Sequence, residues 1–173
     1  MSDGSVHQGR LGQDPKPWPV FSSPVLRVLA LDDGFVCCSK SEVVSVRGGQ
    51  TMRFRAADIV PTTLSVDGGF LFAGNFAGDL LAWDLTSGRA LRRAGIHSGG
   101  VRAIHAAGGR LISAGRLRQV AVWRFSAEAG FERVEELELK RSGDRVTFLG
   151  PATDPREFLL GTVRGAVFRC EWR

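Results

Sequence analysis

The residues able to do chemistry in this chain are few and scattered. Histidine occurs three times, at His7, His97 and His105. Ser113, His97 and Asp84 supply the residue types of a serine triad. No strained Gly-x-Ser-x-Gly turn surrounds Ser113, so the structural reading of these three residues is the stronger one. The cysteines are Cys37, Cys38 and Cys170. Neighbouring side chains of a strand point to opposite faces, so Cys37 and Cys38 are not expected to bond to each other. No CxxC or HExxH spacing suits zinc, and free buried thiols are the expectation. Glycine-rich phosphate loops are also missing, and Glu135 and Glu136 sit side by side in a charged run. No catalytic, cofactor-binding or metal-binding residue is assigned, and the chain is expected not to be an enzyme.

The remaining reactive character lies in the arginines. Lys and Arg together number 23 against 18 acidic residues, for a formal charge of +5. Lysine appears only at Lys16, Lys40 and Lys140. Arg89, Arg92 and Arg93 cluster, and Arg102, Arg116 and Arg118 fall at or beside a turn. Arginine suits hot spots and phosphate contacts alike. Arg102, Arg116 and Arg118 are therefore the candidate partner-binding residues, for a protein first and RNA second. Aromatic residues do not interleave with them, which weakens the RNA reading.

These side chains must be held by strands. Hydrophobic residues make up 43% of the chain and charged residues 24%, an ordinary globular balance. No apolar stretch reaches the roughly 20 residues of a membrane span. The polar N-terminus lacks the apolar centre of a secretion signal, so a cytoplasmic or nuclear location is expected. Residues 1–17 are expected to form a flexible tail and 18–173 the folded part. Beyond Pro24, short runs of Val, Leu, Phe and Trp alternate with Gly, Asp or Ser, which predicts an all-β fold. Strands are expected at 26–31, 35–39, 43–47 and 52–55; at 62–66, 70–73, 80–84 and 91–93; at 101–105, 111–113, 120–125 and 134–139; and at 146–149, 158–160 and 166–171.

Repetition groups them. The stretch 70–84 (FLFAGNFAGDLLAWD) aligns with 110–124 (RLISAGRLRQVAVWR), placing Trp83 and Trp123 at one position 40 residues apart. Weaker copies at 158–171 and 35–47 put Cys170 and Arg47 where Trp stands. A period of about 35–47 residues is that of a four-stranded propeller blade.

These residues resemble the WD-repeat β-propeller family over roughly 25–173. Leu80-Leu-Ala-Trp83-Asp84-Leu85 carries the Trp-Asp pair, and Gly95-Ile-His97 is similar to the Gly-His element joining blades. The resemblance implies a propeller or partial propeller of about four blades. It assigns structural roles to His97, Ser113 and Trp123 in one blade and to Trp83 and Asp84 in another. The family's Asp falls at Leu117, and Ala73 and Ala77 replace its Ser and Asp in the earlier copy, so the repeats are degenerate. The function implied is a non-catalytic scaffold or adaptor for protein partners. RNA binding through the Arg-bearing loops, or a piece of a larger propeller without independent activity, are the alternatives. The fourth repeat lacks an outer strand, and residues 18–22 are expected to supply it and close the ring. An open ring would invite self-association.

Overall fold

A computed structural model describes residues 5–8, 16–19, 21–55, 60–116, 118–138 and 145–172. They are all-β, with no helix among them, and so none long and apolar enough to cross a membrane. The chain divides into two compact units, residues 1–61 and 62–173.

The first unit holds a two-stranded and a four-stranded sheet. Strand β1 (Ser5–Gln8) pairs antiparallel with β2 (Lys16–Pro19). The span read from sequence as a flexible tail thus carries a β-ladder. Trp18 lies opposite Val6 and Pro19 opposite Ser5. Trp18 and Pro19, in the segment expected to close a ring, are thus paired with β1. Strands β3 (Arg27–Leu31), β4 (Gly34–Cys38), β5 (Val43–Arg47) and β6 (Gln50–Phe54) form an antiparallel meander. Its central strands are apolar on both faces, and Phe21, Phe35, Cys37, Val44 and Val46 form one buried cluster. Burial pushes the thiols of Cys37 and Cys38 up to about 12 and about 11, so both stay protonated and inert at neutral pH.

The second unit repeats that meander. Strands β7 (Pro61–Asp67), β8 (Phe70–Asn75), β9 (Asp79–Asp84) and β10 (Ala90–Gly95) make one sheet. The next comprises β11 (Val101–Ala107), β12 (Arg110–Gly115), β13 (Gln119–Ser126) and β14 (Gly130–Glu138). The last has three strands, β15 (Val146–Pro151), β16 (Glu157–Thr162) and β17 (Val167–Glu171). Every strand expected from the sequence beyond residue 25 is present. Several run longer: β14 begins at Gly130 because Phe131 pairs with Phe125 and packs on the core.

Stacking follows from composition. Both faces of β8–β9 and β12–β13 are apolar, so each sheet needs a neighbour on each side. Phe72, Leu80 and Ala82 of one sheet bury against Val101, Leu111, Trp123 and Phe125 of the next. Phe72 and Phe125 meet edge to face, ring centres 5.0 Å apart and planes at 87°. The opposite face of β11–β14 offers Ala103, Ile112, Ala114 and Val120 to Val146, Leu149, Phe158 and Leu160. Polar groups fix the stacking along β7, where the Ser65 hydroxyl accepts from the Ala106 N–H at 3.0 Å and the Asp67 carboxylate from the Gly109 N–H at 2.8 Å.

Trp83 and Trp123 lie on different sheets at the same register, opposite Leu71 and Leu111. Cys170 occupies the matching place opposite Phe158. Arg47 does not: it pairs with Gly34 at the strand end, and Val46, opposite Phe35, takes the tryptophan position.

One glycine ties a turn to its neighbour. Gly78 has φ 101°, and its carbonyl accepts from the Ile96 and His97 N–H groups at 3.0 and 3.1 Å. A Cβ there would overlap the His97 carbonyl oxygen. Gly78→Ala is expected to cost about 2 kcal/mol or more in urea unfolding. Unchanged stability would show that this turn does not constrain the loop at His97.

Candidate functional site

A buried polar constellation of the second unit is His97–Ser113–Trp123. His97 sits in the loop between β10 and β11, packed beneath Gly115, and is buried. Ser113 is on β12, fully buried, and Trp123 on β13. The Trp123 indole N–H donates to the Ser113 Oγ at 2.8 Å, and His97 Nε2 lies 3.0 Å from the same oxygen. With the indole donating, the hydroxyl donates in turn to a neutral imidazole Nε2 or accepts from its Nε2–H. Burial pushes His97 below its ordinary value, opposed by Gln119 and the Glu136 carboxylate. Three elements distant in sequence are thereby pinned at one atom.

The paper triad is not assembled. Asp84 caps its own turn, accepting from the Thr86 N–H at 3.0 Å and the Ser87 N–H at 2.7 Å. Those bonds hold its carboxyl below the usual carboxylate range. It lies at the far end of β9 from the Gly78 turn that touches His97, about 20 Å away at the rise of an extended strand. Trp83 is buried in the sheet. Among the described residues no three His, Cys, Asp or Glu side chains converge to hold a metal ion.

The predicted arginines separate. Arg102 is half-buried on β11, its Nε sealed from solvent without a hydrogen-bond partner. Arg118 is half-buried at φ 64°. Only Arg116 is exposed, in the β12–β13 turn, and its guanidinium sits 4.4 Å from the ring centre of Phe76. Leu117, read as standing at the family's Asp position, lies outside the described residues.

Phe76 was not among the predicted residues. It tips the β8–β9 turn and is 55% exposed, unusual for a large aromatic in a tight turn. The turn is rigid. Buried Asn75 donates to the Asp79 carboxylate at 2.8 Å and accepts the Asp79 N–H at 2.8 Å, and Arg93 closes on that carboxylate at 2.8 Å. The β12–β13 turn joins it: the Arg116 N–H donates to the Gly100 carbonyl at 3.2 Å, and Gly100 packs against the Phe76 carbonyl. Phe76 and Arg116 are the same position of successive repeats, 40 residues apart like Trp83 and Trp123. Val163, 43% exposed, is the equivalent in the last sheet, 47 residues on as Cys170 is from Trp123. Equivalent turns thus present an apolar and cationic row on one edge of the sheets.

No family model matches the chain, and no curated protein sequence matches it. Among solved structures it is similar to the crystal structure of the computationally designed Ika4 protein, with a TM-score of 0.72 and 14% identity over 89% of this chain and 94% of that one. At that identity the likeness concerns the fold alone.

Two outcomes follow. Ser113→Ala strands the Trp123 N–H and His97 Nε2 in the interior and is expected to cost about 1–3 kcal/mol in urea unfolding. A smaller loss would mean that water or rearrangement replaces the hydroxyl. Burial also holds His105 down. Both histidines thus bind protons more readily when unfolded, so stability is full above the ordinary value of 6.5 and falls as pH drops below it. Melting temperatures between neutral pH and the carboxylate range are expected to decline, less steeply in His97→Gln. A flat profile would contradict the burial of neutral imidazoles.

Proposed function

We propose that this chain is a non-catalytic scaffold of WD-type blades, a propeller or part of one, that docks a protein partner on the edge carrying Phe76 and Arg116. One observation carries the reading: an exposed aromatic ring, stacked by an arginine, stands on a turn braced by buried hydrogen bonds. Aromatic and arginine side chains on rigid supports make interface hot spots, since little entropy is lost on binding. The non-catalytic part is supported by the use of His97, Ser113 and Asp84, two as an interior pin and one as a turn cap. A cytoplasmic or nuclear setting fits the protonated, unbridged cysteines.

RNA binding through the same arginines is the second reading. It is favoured by the exposed Arg116 and by the formal charge of +5. The sealed position of Arg102 counts against it.

Affinity capture with quantitative mass spectrometry, comparing the chain with Phe76→Ala and Arg116→Ala, separates the readings. A protein partner is expected whose recovery falls about tenfold or more with either substitution. Partners indifferent to both would refute this docking edge. Binding to random RNA that weakens steeply between low and moderate salt would favour the second reading.

A further inference from the structure

We propose that His97 is a proton switch for the edge that carries Phe76 and Arg116: a second proton on its ring breaks the contact with Ser113 and releases the 96–100 loop on which both turns lean. The inference rests on the docking role proposed above and adds its regulation by pH. The groups involved lie within β8–β14 and their connecting turns.

Hydrogen bonding fixes the state of the ring. Among the described residues the fully buried Ser113 hydroxyl meets two groups, the Trp123 indole N–H at 2.8 Å and His97 Nε2 at 3.0 Å. An indole only donates, so the hydroxyl's own proton goes to Nε2. The neutral ring therefore carries its proton on Nδ1. The Gln119 side chain faces the ring. Its Oε1 and the ring's Nδ1 are both sealed from solvent without a hydrogen-bond partner, one an acceptor and the other a donor. The neutral ring thus suits its surroundings on both sides.

A second proton reverses this. It must sit on Nε2, where it points at the Ser113 Oγ. The hydroxyl proton then has no acceptor, and a cation replaces a neutral ring in the interior. Gly115 confines the ring, since a Cβ there would stand 2.8 Å from it. Little nearby charge offsets the cation. Glu136 of β14 favours the charged ring but is bound to Arg133 at 2.7 Å. Asp79 of β9 is closed by Arg93 of β10 at 2.8 Å. Arg102 on β11, Arg116 in the β12–β13 turn and Arg118 at the start of β13 carry the same sign as the cation.

Leaving its seat is the relief open to the loop, and the loop holds two turns. The Ile96 and His97 N–H groups donate to the Gly78 carbonyl, at the end of the turn that Phe76 tips. The Gly100 carbonyl accepts the Arg116 N–H, and Gly100 packs against the Phe76 carbonyl. Release of residues 96–100 breaks these bonds together, so the edge is ordered at neutral pH and loosened in mild acid.

Amide hydrogen exchange of the full chain, corrected for the intrinsic effect of pH, tests this. A ring kept neutral when closed and titrating at 6.5 when open makes opening about tenfold more frequent one pH unit below 6.5 than well above it. Protection of the Ile96, His97 and Arg116 amides is expected to fall by about that factor. Their opening is expected to show little denaturant dependence, the mark of a local event. His97→Gln is expected to remove the pH response, and His105→Gln, which alters the other buried histidine, to keep it. By NMR the His97 ring of wild type is expected to titrate below 6.5. Gln119→Glu, which sets a carboxylate beside Nδ1, is expected to raise that value. The wild-type arms need no variant to fold. Protection of the three amides that ignores pH would overturn the switch, as would a response that survives His97→Gln or disappears in His105→Gln. A wild-type ring titrating at or above 6.5, or one that Gln119→Glu leaves unmoved, would do the same. No partner enters these measurements, so they decide the switch apart from the docking reading, which capture with Phe76→Ala decides.

Discussion

A four-stranded sheet with apolar residues on both faces of its central strands cannot stand alone in water. That constraint governs residues 62–173. Leu71, Leu80 and Trp83 crowd one sheet, and Leu111, Ile112 and Val120 the next, so each face is covered by another sheet rather than by solvent. At about 25 cal/mol per Å² of apolar area removed from water, this burial outweighs the modest net worth of any hydrogen bond nearby. Hydrogen bonds decide the register instead. Ser65, Asp67 and Ser113 each occupy a place where an unpaired buried group would be costly, so they select one stacking among many that burial alone would accept.

The polar pin and the exposed edge are two ends of one device. His97 is held by Ser113 on its ring and by Gly78 on its backbone. Gly78 belongs to the turn that lifts Phe76, and Gly100, a few residues beyond His97, holds the Arg116 backbone. Interior order is thereby transmitted to the surface over a short covalent path. The Phe76 ring and the Arg116 guanidinium are thereby held side by side, the arrangement on which the proposed docking edge rests.

Much of this was legible in the sequence. Alternating apolar runs and Gly-rich turns located every strand from residue 27 onward, because a period of two and a turn signal are local properties. The spacing of Trp83 and Trp123 also placed equivalent residues on successive sheets. What escaped notice depended on tertiary context. Phe76 has no periodic signature; only its aromatic character in a turn, one repeat before Arg116, marks it. Arg102 reads like any loop-side arginine, yet the sheet seals its Nε. The pairing of Ser5–Gln8 with Lys16–Pro19 lay hidden because neither segment is apolar enough to announce a strand. Arg47 misled because a one-residue offset in a strand exchanges its faces, and Val46 holds the register.

Native-state hydrogen exchange of the second unit tests the mutual dependence of the sheets most directly. Amides of Leu71, Leu81, Leu111, Val120 and Leu160 are expected to exchange with one common opening free energy and one denaturant dependence, because uncovering any face exposes its neighbour. Strands β7–β10 opening at a separate, lower free energy while β11–β17 stay protected would contradict the account.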